Sequence, residues 1–165
     1  MKKVDDSEKI EPLLNNAEAG FGMNVGFMRL ALDRANFSIS DVPVGAVIVK
    51  GNEILSISSN EKELNQDATL HAEMVAIKEA SKKIGSWRLN DCEMYVTLEP
   101  CPMCASAIIQ SRISKVYFGS YDLLYGALGS KIDLRQIMNS SLEVKGGILQ
   151  EECDNIIESY FKRIR

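Results

Sequence analysis

The chain has 165 residues, of which 45% are hydrophobic and 25% charged, the size and composition of one ordinary globular domain. Its formal net charge of −4 argues against broad, non-specific nucleic-acid binding, which needs a large basic field, although Lys162, Arg163 and Arg165 form a local basic patch near the end of the chain. No apolar run reaches the length of a bilayer span, so no membrane partner is expected.

Residues 1–22 place Lys2 and Lys3 among Asp5, Asp6, Glu8, Glu11 and Glu18 and contain no apolar stretch of the signal-peptide kind. Neither a secretory nor a transit signal fits, so this segment is read as a polar extension of a cytoplasmic protein, with a single domain over 23–165. Val25, Met28, Leu32 and Ala35 recur at helical spacing, predicting a helix over about 23–37. The β-branched run Val44 to Val49, the turn Gly51-Asn52 and the segment Ile54 to Ser58 predict a hairpin. From His71 to Lys83 there is no Gly or Pro, and Met74, Ile77, Ala80 and Ile84 share one side of a predicted helix that Gly85 ends.

Met94, Val96 and Leu98 alternate with Tyr95 and Thr97 as a third strand. Pro102 suits a first helical position and opens a helix reaching about Ser111. Val116 to Phe118 is a fourth strand, 120–135 a structured loop, and Leu142 to Lys145 a fifth strand. Cys153, Ile156, Ile157, Tyr160, Phe161 and Ile164 then mark a closing helix, with Glu151 and Glu152 at its start and Lys162 and Arg163 at its end, as its dipole favours. Strands alternating with helices predict an α/β sheet covered on both faces. Trp87 is expected to be a packing residue, and Cys92 and Cys153 fit core-facing positions.

The chemistry concentrates in two short pieces. The only histidine lies in His71-Ala72-Glu73, and Pro100-Cys101-Pro102-Met103-Cys104 begins a second helix some thirty positions on. Alone, a histidine is more often structural, and a Cys-x-x-Cys is equally a redox motif or half of a structural zinc site. Together they supply one imidazole and two thiolates, the latter favoured at a helix N-terminus. Three protein ligands leave the fourth position of a zinc ion for water, which is the catalytic arrangement; a structural site fills all four. Zinc lowers the pKa of bound water from about 15.7 to near 7. Glu73, two residues from His71, is placed to move protons without ligating the ion. An acid in a helix first turn is also simply dipole-favoured, but beside this ligand set catalysis is the stronger reading. His-x-Glu with Pro-Cys-x-x-Cys is the signature of zinc deaminases.

Further segments narrow the likeness: Val42-Pro43-Val44-Gly45-Ala46-Val47, Asn60, Asp67 to Glu73, Trp87-Arg88-Leu89, Thr97 to Cys104, Ser111-Arg112-Ile113, Gly126 to Ser130 and the closing Tyr160 to Arg163. Over about residues 23–165 the chain resembles the bacterial tRNA-specific adenosine deaminases. The resemblance implies a three-layer α/β/α cytidine deaminase-like fold with a central five-stranded mixed sheet, one Zn²⁺ per subunit, and a homodimer. It implies hydrolysis of the wobble adenosine (position 34) to inosine in a tRNA anticodon stem-loop, typically of an arginine tRNA. It also implies that Asn60 hydrogen-bonds the base, that the loop carrying Asp122 contacts neighbouring nucleotides, and that Tyr160, Phe161, Lys162 and Arg163 meet the RNA. Asp122 is equally readable as an ordinary loop aspartate, and Tyr160 and Phe161 as core residues. Three positions depart from the family: Leu70, expected to narrow the pocket mouth, Leu128 and Ser140. Two rival readings share the zinc motif: a deaminase of a free base or nucleotide, of guanine or cytosine type, and a non-catalytic zinc subunit that binds RNA. The presence of Glu73 argues against the latter.

Overall fold

The computed structural model describes residues 21–38 and 40–165, so residues 1–20 of the expected extension lie outside the description. The elements run α1 (Phe21–Ala35), β1 (Gly45–Lys50), β2 (Glu53–Ser59), α2 (Lys62–Asn65), α3 (Ala72–Ile84), β3 (Cys92–Leu98), α4 (Pro102–Gln110), β4 (Lys115–Ser120), α5 (Leu134–Ile137), β5 (Glu143–Lys145) and α6 (Gln150–Ile164). Every long element matches the sequence expectation to within a few residues. The additions are the single turns α2 and α5, too short to leave a periodic pattern. No helix among the described residues is long and apolar enough to cross a membrane.

The strands form one mixed sheet in the order β2-β1-β3-β4-β5. β1 is antiparallel to β2 and β3, whereas β3, β4 and β5 are mutually parallel. The hairpin register slips between Ile48 and Val49, so that Leu55 is the extra residue of a bulge. Strand periodicity sorts the core into two layers. Ala46, Ile48, Met94, Val96, Val116 and Phe118 face α3 and α4. Val47, Val49, Tyr95 and Tyr117 face the opposite way, against α1 and Cys153 of α6. β1, buried on both faces from Gly45 to Val49, therefore carries a continuous apolar run, not an alternating one.

The structure rotates two helix faces from where their bulky residues suggest. α3 buries Ala72, Val75, Ala76 and Ala80, while Ile84 is 37% exposed. The small Ala72, Ala76 and Ala80, four residues apart, let the helix axis approach the sheet, and Met74 and Ile77 flank the contact. In α1 the fully buried stripe is Phe27, Met28, Leu30, Ala31 and Ala35, with Val25 and Leu32 at its margin. Trp87 is not a packing residue: it is 52% exposed, with the Arg88 and Arg112 guanidiniums 4.4 and 5.3 Å from its ring. Arginine that stacks on indole keeps the ring partly covered without a core position. Cys92 and Cys153 are buried, as expected. Gly119 allows α6 its close approach to β4, since a Cβ there would lie 2.2 Å from Cys153 Sγ.

Candidate active site

The two ligand-bearing helices begin beside each other at the carboxyl end of the parallel strands. His71 and Cys101 are the N-cap residues of α3 and α4, with extended backbone, and neither uses its side chain as a cap. Both side chains are thereby free to turn toward a common point. The capping of α3 falls to Asn60 at the end of β2, whose Oδ1 accepts the Ala72 amide at 2.8 Å while its Nδ2 donates to the Val42 carbonyl at 2.7 Å. Pro102 occupies the first turn of α4, where its missing N–H costs nothing.

His71 Nδ1 lies 3.6 Å from Cys101 Sγ and 3.5 Å from Cys104 Sγ. A tetrahedral zinc with its usual Zn–N and Zn–S bonds has an N···S edge of about 3.6 Å. The three donor atoms, all within 4.8 Å of one another, therefore fit a zinc ion in size as well as chemistry, and His71, Cys101 and Cys104 are positioned to bind it.

The electrostatics agree. The neighbouring Cys104 thiol, with His71, pulls Cys101 down to about 4. Cys104 is driven up by Cys101 and by burial. The pair thus gives up one proton readily and retains the second until a cation compensates the charge, as a coordinating thiol requires. The Cys101 contact raises His71 above its ordinary value.

Glu73 is buried in the first turn of α3, and burial pushes its carboxyl up to about 7. The groups acting on it are Cys101, His71 and Cys104, so the carboxyl sits against the ligand set. His71, Glu73 and Cys101 line a cavity of about 710 Å³, within the range of small-ligand sites. One wall is apolar (Val42, Val44, Leu98, Ile157), and the mouth is formed by 121–125 and α6.

The other expected site residues divide. Asn60 lines the cavity, with one amide hydrogen and one lone pair already committed to the backbone. Asp122 lines it too, but its Oδ1 accepts the Leu124 and Tyr125 amides at 3.0 Å and so shapes its own loop. Tyr160 and Phe161 line the mouth, their rings edge-to-face at 5.3 Å. Of the α6 stripe only Cys153 is fully buried, so the aromatics are not core residues. Lys162 and Arg163 are exposed and stand outside the cavity lining.

Of the three departures, only Leu70 is expected at the pocket mouth. Leu70 does not line the cavity; its carbonyl accepts the Glu61 amide at 3.0 Å. Leu128 is buried in the core, and Ser140 accepts the Leu142 amide in the turn before β5.

Several residues at the site carry no sequence signal of their own. Asp41 is buried at the cavity wall and accepts the Glu63 amide at the start of α2. The Ser120 hydroxyl donates to Asp154 and so joins β4 to α6. Glu99, immediately before Pro100-Cys101, is a buried carboxylate whose partners lie beyond residue 126. The only hint was an acid next to the ligand block.

The model of the cytidine and deoxycytidylate deaminase zinc-binding region matches residues 23–120. The tRNA-specific adenosine deaminase of Bacillus subtilis (strain 168) is 44% identical over 127 residues, covering 76% of this chain and 79% of that protein. A solved structure from studies of A-to-I editing by tRNA:A34 deaminases at the wobble position is 35% identical with a TM-score of 0.72, covering 79% of this chain and 97% of the other. A guanine deaminase from Nitrosomonas europaea has the same TM-score of 0.72 at 19% identity, covering 82% and 83%, which is a likeness of fold alone.

Proposed function

We propose that this chain, which belongs to the zinc-binding cytidine and deoxycytidylate deaminases and among them to the tRNA-specific adenosine deaminases, hydrolyses the wobble adenosine (A34) of a tRNA anticodon to inosine. The observation that carries the reading is the His71, Cys101 and Cys104 triad with a buried carboxylate, Glu73, against it in an open cavity. The relatives' names support the substrate. The domain assigned to this activity is 23–165, following a polar extension over 1–22.

His71 and the two cysteine sulfurs would hold a zinc ion, which when bound would supply the Lewis acidity that makes water a nucleophile near neutral pH. Glu73 accepts one water proton as the C–O bond forms at adenine C6 and delivers it to the ring nitrogen; it then takes the remaining hydroxyl proton and gives it to the amino group as the C–N bond breaks, so that ammonia leaves and the C6 carbonyl of inosine forms. Asn60 retains one amide hydrogen and one lone pair for the edge of the base. The target base has to leave its stack to enter the cavity, and an anticodon loop, whose bases splay readily, suits that step. Tyr160 and Phe161 offer stacking faces at the mouth, the loop of Asp122 meets neighbouring nucleotides, and Lys162 and Arg163 meet phosphates outside it. An arginine tRNA, a cytoplasmic location and a homodimer complete the reading; the exposed Ile84 and Trp87 supply apolar surface in keeping with association.

The test is incubation of the zinc-loaded chain with adenosine-34 anticodon stem-loops of arginine and other tRNAs, and separately with free guanine and cytosine. Inosine in the arginine stem-loop is the expected product. Product from a free base with no inosine in any RNA overturns the proposal. One observation favours deamination of a free purine as a second reading: Asp41, Glu63, Asp122, Asp154 and Glu158 line the cavity against one lysine, Lys62. The same incubation separates the two.

A further inference from the structure

Glu99 is 2% exposed, yet among the described residues no lysine, arginine or histidine bonds it. Its Oε2 accepts the Leu128 amide at 3.4 Å and the Ser130 amide at 3.2 Å, and its Oε1 accepts the Ser130 hydroxyl. A buried carboxylate without a cation is tolerable only where several donors converge on it, and here three come from one loop. The approach is close: a Cβ on Gly126 would lie 2.1 Å from Glu99 Oε2, so the loop backbone rests directly on the carboxylate.

The same contact continues on either side. The Ala127 amide donates to the Pro100 carbonyl at 2.9 Å, next to the ligand Cys101. The Gly126 amide donates to the Asp122 carbonyl at 2.8 Å, and Asp122 in turn folds Leu123 to Tyr125. Leu123, Leu124 and Tyr125 line the cavity although they are 76%, 74% and 67% exposed. They form an apolar lip that belongs to neither core layer of the described residues.

We propose that Glu99 is a positioning residue: its buried carboxylate holds residues 126–130 against the Cys101 turn and so sets where the Leu123–Tyr125 lip stands over the substrate cavity. This rests on the reading of that cavity as the substrate site. It makes the two sequence blocks Thr97–Cys104 and Gly126–Ser130 two halves of one contact. An apolar lip fixed in this way serves binding and orientation of the substrate, while the metal ligands and Glu73 keep their own supports.

The test uses the full zinc-loaded chain and two variants, Glu99→Gln and Ser130→Ala. Gln at 99 removes the charge and puts an N–H₂ group in place of one of the two accepting oxygens, keeping the other; Ala at 130 removes one donor and leaves the carboxylate. Amide hydrogen exchange and metal content are measured without substrate, and KM and kcat on the anticodon stem-loop with it. Expected for Glu99→Gln are full zinc content, faster exchange at Leu128 and Ser130, and a KM raised by about tenfold or more with a smaller change in kcat. Ser130→Ala is expected to do the same to a lesser degree, and the double variant to be no worse than Glu99→Gln. Unchanged exchange at Leu128 in both variants overturns the proposal. So does faster exchange with unaltered KM. If Glu99→Gln fails to fold, Ser130→Ala decides by the same two readouts. A parent chain inactive on RNA but active on a free base sinks the substrate reading alone, because exchange still reports the contact.

Discussion

Asn60 caps the helix that His71 begins: its Oδ1 accepts the Ala72 amide, while its Nδ2 holds the Val42 carbonyl. One side chain thus fixes both a metal ligand and the strand entrance on the cavity wall. Asn60→Ala is expected to cost about 1 kcal/mol as a lost N-cap. It is also expected to weaken zinc binding by roughly tenfold, through a looser His71. Asn60→Asp keeps the acceptor and should retain most of the metal affinity while losing the tie to Val42. Competition with a chromogenic chelator measures this directly; equal zinc affinity in all three proteins would show that Asn60 acts on the base alone.

Glu73→Ala is expected to retain zinc and lose at least ~10²-fold in kcat, the low end for a general acid–base group. A rate within a few-fold of the parent would remove Glu73 from the mechanism.

The same residue makes a pH prediction for the metal-free chain. Burial holds the Glu73 carboxyl at about 7, against an ordinary value of 4.5. The folded state therefore keeps a proton that the unfolded chain has released. The associated stability is fully present below about 4.5 and is lost as pH rises toward 7. Glu73→Gln, which cannot ionise, should gain on the parent across that window by at most about 1.4 kcal/mol per pH unit. Taking the difference between the two proteins cancels the opposite trend from Cys101. Urea titrations at a series of pH values supply it, and a difference flat with pH would mean that the carboxyl is already ionised in the fold.

His71→Ala removes the one nitrogen donor of the triad, and zinc stoichiometry should fall well below one per chain by metal analysis. Chelation of the parent should lower its thermal midpoint and leave the variant's unchanged. Full occupancy in the variant would break the ligand assignment.

Phe161 is 40% exposed at the cavity mouth. Phe161→Ala should leave the thermal midpoint nearly unchanged, since the ring is not core. It should weaken stem-loop binding by about 1–3 kcal/mol, the worth of one base–aromatic stack. Unchanged affinity, read by fluorescence anisotropy, would place the RNA elsewhere.

What was legible in the sequence follows from the range of the interactions. His71, Glu73, Cys101 and Cys104 could be read because each pair is local and chemically distinctive. The strands could be read from short β-branched or alternating apolar runs between turn residues, because the sheet buries their side chains on one face or on both. The Ser120–Asp154 and Ser130–Glu99 contacts span 34 and 31 positions, and nothing at either partner announces the other. Trp87 was misread because apolar residues tend inward but need not go there, least of all beside two arginines. The face of α3 was misread because the residues that pack closest are the smallest, the three alanines.

One consequence of the triad lies outside catalysis. His71 and Cys101 stand thirty positions apart, and between them lie all of α3 and the central strand β3. An ion shared by both is a cross-link that ties this loop shut. By the chain-entropy relation for a closed loop of that length, such a staple destabilises the unfolded ensemble by about 4 kcal/mol. The folded population of the domain is therefore tied to free zinc, so that starving the chain of metal threatens its lifetime as well as its turnover.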